Sequence, residues 1–225
     1  MTTKKKLTWF LICGLLGSFM MAGSDWMMIY GDMTFHGNLA WLTEGVAEIE
    51  PWRNAAALGL SFPAVIFYSI ALFGVRSLLK EEKDRKIYGG LTVAGMTPWL
   101  CLHLFYIMIL FLFAWMMKQG ENGLAYEACE ALFAQFSWVV IVGEALILLP
   151  FLYLFYLMIK KRSVFSKWMC LNNPLLIYLI LKVLTGFIPE MPWKLAFING
   201  LMSESMIIFF IVLFGCGIRK GQNKC

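Results

Sequence analysis

The feature that most constrains this chain is a succession of long apolar runs, near 7–30, 55–78, 89–117, 130–159, 170–188 and 194–217, separated by clusters of charge. A helix needs roughly 20 apolar residues to cross the ~30 Å hydrocarbon layer of a bilayer, where every backbone polar group must be satisfied within the segment. Each run has about that length or more, far beyond the ten-residue alternating strand of a membrane barrel. The sequence therefore predicts an all-α integral membrane bundle of six transmembrane helices, a single domain over residues 1–225. Composition agrees, because 60% of the residues are hydrophobic and 15% charged, against about 45–50% and 25% in soluble domains.

Charge sets the expected orientation. Of 19 Lys and Arg residues, 15 fall in four groups: Lys4 to Lys6; Arg76, Lys80, Lys83, Arg85 and Lys86; Lys160, Lys161, Arg162 and Lys167; and Arg219, Lys220 and Lys224. The opposite side holds Arg53, Lys118 and Lys194, and Lys182 lies inside a span. The positive-inside rule then places both termini in the cytoplasm of a multi-pass cell-membrane protein. Lys4-Lys5-Lys6 followed by Leu7–Met21, with Ala22 and Ser24 as small residues, has the outline of a signal peptide. The apolar run continues through Trp26–Tyr30, however, which suits an uncleaved first span. The basic groups read as topology signals and headgroup contacts, so the partner is the lipid bilayer and no nucleic acid is expected. Oligomeric state is left open.

The cysteines fit the same picture. Cys13, Cys101, Cys170 and Cys216 fall in spans or at their ends, Cys225 lies at the cytoplasmic terminus and Cys129 near the outer face. Neither a disulfide framework nor a Cys/His metal spacing is present, and no cofactor or metal is expected. Outside, Leu39, Leu42, Val46 and Ile49 recur at helical steps and predict a short amphipathic helix near 38–50, ended before Pro51. The third and fourth spans are long enough to project as a hairpin, turning at Lys118-Gln-Gly-Glu-Asn122-Gly123.

Ionisable residues at membrane depth are costly, on the order of 2.5–3.5 kcal/mol each on insertion scales, and are site hypotheses by default. There are five: Asp25, His103, Glu144, Lys182 and Glu204. Helical rise puts all five in the middle or outer half of their spans. Gly14, Ser18 and Ala22 form a small-residue stripe that turns Asp25 into the bundle, and Asp32, seven residues further, continues that face. Asn199, Gly200, Ser203 and Ser205 surround Glu204, and Gly143 precedes Glu144. Pro63, Pro98 and Pro150 free carbonyls within spans, and kinks are expected there. Two readings follow. In one, Lys182 pairs with Glu144 or Glu204 and His103 bonds a backbone carbonyl. In the other, the five line an outward-opening polar pocket, in which Lys182 holds an anionic group and the acids bind cations or exchange protons. The second is favoured, with Trp26, Asp32 and Asn199 joining the five as pocket residues.

Catalytic signatures are missing. The chain has no His-Glu-x-x-His, no Gly-x-Ser-x-Gly, no phosphate-binding or dinucleotide-binding glycine loop, and only His36 and His103 as histidines. Ser24–Asp25 beside His103 offers a nucleophile and base without a specific spacing, and the balance is against an enzyme. Ala22-Gly-Ser-Asp25-Trp26, near the outer end of the first span, resembles the Gly-x-Asp-Trp signature of an uncharacterised family of small bacterial six-span membrane proteins. That resemblance implies no activity and adds interest to Asp25 and Trp26 alone. The expected function is binding or transport of a small ligand or lipid, with proton linkage as an option. The alternatives are a membrane enzyme acting on a lipid or isoprenoid head group, and a structural or regulatory subunit. An inverted repeat of spans one to three and four to six is left open.

Overall fold

The computed structural model describes residues 3–219, and within them the fold is all-α. The elements are α1 (Thr3–Met28), α2 (Glu44–Ala47), α3 (Pro51–Val75), α4 (Glu82–Lys118), α5 (Asn122–Ile159), α6 (Pro174–Thr185), α7 (Pro192–Asn199) and α8 (Leu201–Arg219). Two 3₁₀ turns, Arg76–Leu78 and Lys167–Asn172, complete the series. Cys225, Lys220 and Lys224 lie outside the described residues.

Four of these helices are long and apolar enough to cross a membrane, and α7 with α8 would make a fifth span, bent by 66° at Gly200. The sequence predicts six spans, and the two departures from it have local causes. Pro174 and Pro189 bracket a run too short for a full crossing, so α6 has 12 residues, about 18 Å at 1.5 Å per residue. The last run is interrupted where Asn199 turns its amide back to the Leu195 carbonyl at 2.9 Å and α7 ends. By contrast α4 and α5, at 37 and 38 residues, rise about 55 Å each. They meet at the expected turn, where Gly120 takes a φ of +84°.

Packing follows the small residues. Gly14 on α1 lies under the Phe210 ring of α8, which closes those two helices together. Pro63, Pro98 and Pro150 stand inside α3, α4 and α5 without ending them. The carbonyl that Pro150 leaves unbonded, Leu146, faces Gly95 on α4, 2.9 Å from where a Cβ would stand. Tyr68, Tyr88, Leu72, Phe151, Phe209 and Phe210 centre one core cluster, and Leu42, Ile109, Leu110, Phe113 and Cys129 centre another. Trp138, Ile141, Val183 and Phe187 point outward from the bundle.

The connecting segments gather at two ends. At one, the Leu79–Ser163 bridge, Lys80 N–H to the Arg162 carbonyl (2.9 Å) and Arg162 to Glu81 (3.6 Å) and Asp84 (3.5 Å) stitch the two basic loops together. At the other, Glu130 accepts hydrogen bonds from the Asn38 backbone and side chain, Lys118 donates to the Ile49 carbonyl at 2.7 Å, and Gly31 N–H donates to the Pro192 carbonyl at 2.9 Å. The amphipathic helix expected near 38–50 is reduced to the four residues of α2, capped by the Thr43 hydroxyl. Glu44 and Gly45 give their N–H groups to the carbonyls of Thr34 and Asp32 instead of to a longer helix. Leu42, Val46 and Ile49 are nevertheless buried, carried inward by a folded loop.

Candidate functional site

Asp25 stands one turn before the end of α1, and the small-residue stripe beneath it lets α8 approach closely enough for a side-chain contact. The residue is 7% exposed. Oδ2 accepts a hydrogen bond from the Ser203 hydroxyl of α8 at 2.5 Å, and Oδ1 lies 3.9 Å from Nδ1 of His103 on α4. The other imidazole nitrogen, Nε2, is 3.0 Å from the Ser24 hydroxyl, which donates to the Ala57 carbonyl of α3 at 2.9 Å. Four helices thus converge on one polar set.

Hydrogen accounting assigns the protons. Ser24 has a single hydroxyl hydrogen, and it goes to Ala57, so Ser24 accepts from His103 and Nε2 carries the N–H. Nδ1 then faces Asp25 Oδ1 across 3.9 Å, beyond direct hydrogen-bond range. With a neutral imidazole and an ionised carboxylate, two acceptors point at one gap. Protonation of one of the two groups, a water or a ligand N–H resolves the conflict. The same accounting weakens a hydrolytic reading, because Ser24 is fully buried and its hydrogen is committed to a backbone carbonyl.

Asp25, His103 and Ser203 line a cavity of about 330 Å³ that Glu144, Asn199, Trp41, Trp99, Tyr106 and Tyr178 also border. An adjoining cavity of about 370 Å³ shares Trp99, His103, Tyr106, Glu144 and Tyr178, so the two form one cleft between α4, α5, α6 and α8. The break between α7 and α8 lines it through Ile198, Asn199, Met202 and Ser203. Irregular backbone within a membrane helix is tolerated where it borders such a cavity. Glu144 is exposed into the cleft, and no hydrogen bond or ion pair reaches its carboxylate among the described residues.

The remaining expected residues fall elsewhere. Trp26 donates its indole N–H to Glu204 Oε1 at 2.9 Å, and Arg53 donates to the Trp26 carbonyl at 2.9 Å, forming a second polar tie beside the cavity. Glu204 Oε2 is buried without a hydrogen-bond partner among the described residues. Asp32 is in the loop beyond α1, because the helix ends at Met28 and the face it was expected to continue stops there. Hydrogen bonds from Thr34 hold its carboxyl below the usual carboxylate range. Lys182 is exposed on α6, its ammonium 5.9 Å from the Tyr178 ring, and no acid lies within 4 Å of it among the described residues. The expected pairing with Glu144 or Glu204 is therefore not made. The aromatic walls were not anticipated, although Trp99, His103 and Tyr106 are spaced four and three apart and so share one face of α4.

No group of His, Cys, Asp and Glu among the described residues could hold a metal ion. No curated protein and no solved structure matches the chain. A family of unknown function, DUF6796, matches residues 1–219, in keeping with the uncharacterised family that Ala22–Trp26 resembles, and the chain belongs to it.

Proposed function

We propose that this is a multi-pass protein of the cell membrane, a single six-span domain with cytoplasmic ends, whose polar cavity opens outward and binds or moves a small ligand or lipid with exchange of a proton at Asp25 and His103. The observation that carries the reading is the buried set Ser203–Asp25–His103–Ser24 against a cavity of about 330 Å³, within the usual size range of ligand pockets. Buried ionisable groups that are not fully paired are expensive, so such a set beside a cavity supports a functional site.

Topology rests on two supports. The basic loops 76–86 and 160–167 meet at one end of the bundle, as cytoplasmic loops would under the positive-inside rule. Beside the four long helices and the bent pair α7–α8, the remaining crossing is the 3₁₀ turn Lys167–Asn172 followed by α6, which laid end to end rise about 30 Å. Asn172 and Asn173 fasten that crossing by donating to the Phe209 and Phe151 carbonyls at 3.1 and 2.9 Å. The cavity borders the end of α1 remote from the basic loops, which favours an outward opening.

The test is substituted-cysteine accessibility in a background freed of the native cysteines. Cysteine at Met28, Ile198 or Asn199 should react with an impermeant maleimide added outside intact cells. Reaction only from the inner side of inverted vesicles, or none from either side, would overturn an outward-opening cavity.

A further inference from the structure

The chemistry of the cleft selects among ligand classes. Its lining carries two carboxylates, Asp25 and Glu144, and no Lys or Arg among the described residues. Around them stand Trp41, Trp99, Tyr106 and Tyr178, whose ring faces attract cations, most strongly where water is excluded. Glu144 has no hydrogen bond or ion pair of its own among the described residues. An anionic or purely apolar ligand would leave that carboxylate uncompensated at membrane depth.

The gap between Asp25 Oδ1 and His103 Nδ1 narrows the class further. Two acceptors 3.9 Å apart require a shared donor, and a quaternary ammonium has none to give, whereas a protonated amine carries N–H groups. Resting on the cavity reading given above, we propose that the cleft binds a protonated amine bearing an aromatic or aliphatic substituent. The ammonium donates to Asp25 and His103 and the substituent lies among Trp99, Tyr106 and Tyr178. The proton that Asp25 or His103 carries in the empty site leaves as the amine enters, so binding exchanges one cation for one proton. The other titratable groups facing this position are Tyr68 on α3, Tyr106 on α4, Glu144 on α5, Tyr178 on α6 and Glu204 on α8, none of which supplies a competing positive charge.

Calorimetric titration of the purified full chain in detergent with phenethylamine tests this, run in two buffers of different ionisation heat so that released protons are counted. Phenethyl alcohol and phenethyltrimethylammonium serve as neutral and quaternary counterparts. The expected result is binding of the amine with release of close to one proton, at least tenfold weaker binding of both counterparts, and at least tenfold loss in Glu144→Gln, a position whose exposure keeps folding out of the question. Asp25→Asn should abolish proton release. Equal binding of the amine and the alcohol would overturn the cationic ligand while leaving the cavity reading in place. Stronger binding of the quaternary ion would overturn the shared-donor geometry. If no probe binds although cysteine at Asn199 is labelled from outside, the amine is the wrong class and the cavity reading stands; if that label also fails, both fall.

Discussion

Asp25 is held by contacts that separate its charge from its hydrogen bonds. Asp25→Asn retains an oxygen to accept from Ser203 and gains an N–H for His103 Nδ1, so thermal unfolding in detergent should stay close to that of the native chain. Asp25→Leu strands the buried Ser203 hydroxyl and should cost about 1–3 kcal/mol; equal destabilisation by both substitutions would refute this account of the site. Lys182 illustrates the opposite case. An intramembrane ion pair would make its removal cost about 3–5 kcal/mol, but the exposed ammonium near the end of α6 has only the Tyr178 ring beside it. Lys182→Met should therefore cost less than about 1 kcal/mol, and a double-mutant cycle with Glu144→Gln or Glu204→Gln should show coupling near zero. The inward turn of Asp25 was legible because the residues that set it, Gly14 and Ser18, are neighbours on one helix. Its partner Ser203 and the Trp26–Glu204 tie each join residues 178 positions apart, and no local period encodes such a pairing. The same blindness made Lys182 look like a counter-ion.

At the scale of elements, apolar length was a good guide to α1, α3, α4 and α5, since hydrophobic thickness and helical rise alone decide them. It does not give the breaks in α6 and α7–α8, whose limits are set by Pro174, Pro189 and Asn199, residues that a hydropathy window averages away. The hairpin of α4 and α5 depends on a backbone contact. A Cβ on Gly95 would meet the Leu146 oxygen at 2.9 Å and Ile147 Cα at 3.3 Å, neither of which can swing aside, whereas a Cβ on Gly59 meets nothing within 4 Å. Gly95→Ala should thus destabilise by about 1–3 kcal/mol. Gly59→Ala should be neutral or stabilising by up to about 1 kcal/mol. Unfolding of the two variants under identical detergent conditions checks the difference in sign. Gly200 makes a further case: a Cβ there would press on the Glu204 carboxylate at 2.7 and 2.9 Å, a flexible group that can yield. Gly200→Ala should keep the fold but release the Trp26 indole from Glu204, which an altered Trp26 emission, measured against a Trp26→Phe control, would record.

For the whole molecule, the proposed topology rests on the asymmetry of 15 basic residues against three and on the meeting of the two basic loops, and it can be mapped directly. Single cysteines at Glu44 and Asn122 should be labelled from outside intact cells, and those at Glu82 and Ser166 should not; labelling of Glu82 would require the orientation to be redrawn. The seam at Leu79–Ser163 also bears on how the protein is made. Asp84, 1% exposed, relies on the Tyr153 hydroxyl at 2.8 Å and on Arg162, both of which emerge from the ribosome some 70–80 residues later. At roughly 5–20 residues per second, the acid waits several seconds for its partners. During that interval α1, α3 and the start of α4 lack the clasp that joins their connecting segments. Biogenesis therefore has a commitment point, reached only when the far end of α5 has left the ribosome, and nascent chains arrested while Arg162 is still inside the exit tunnel should be cleared by membrane proteases faster than those arrested after Tyr153 and Arg162 have emerged.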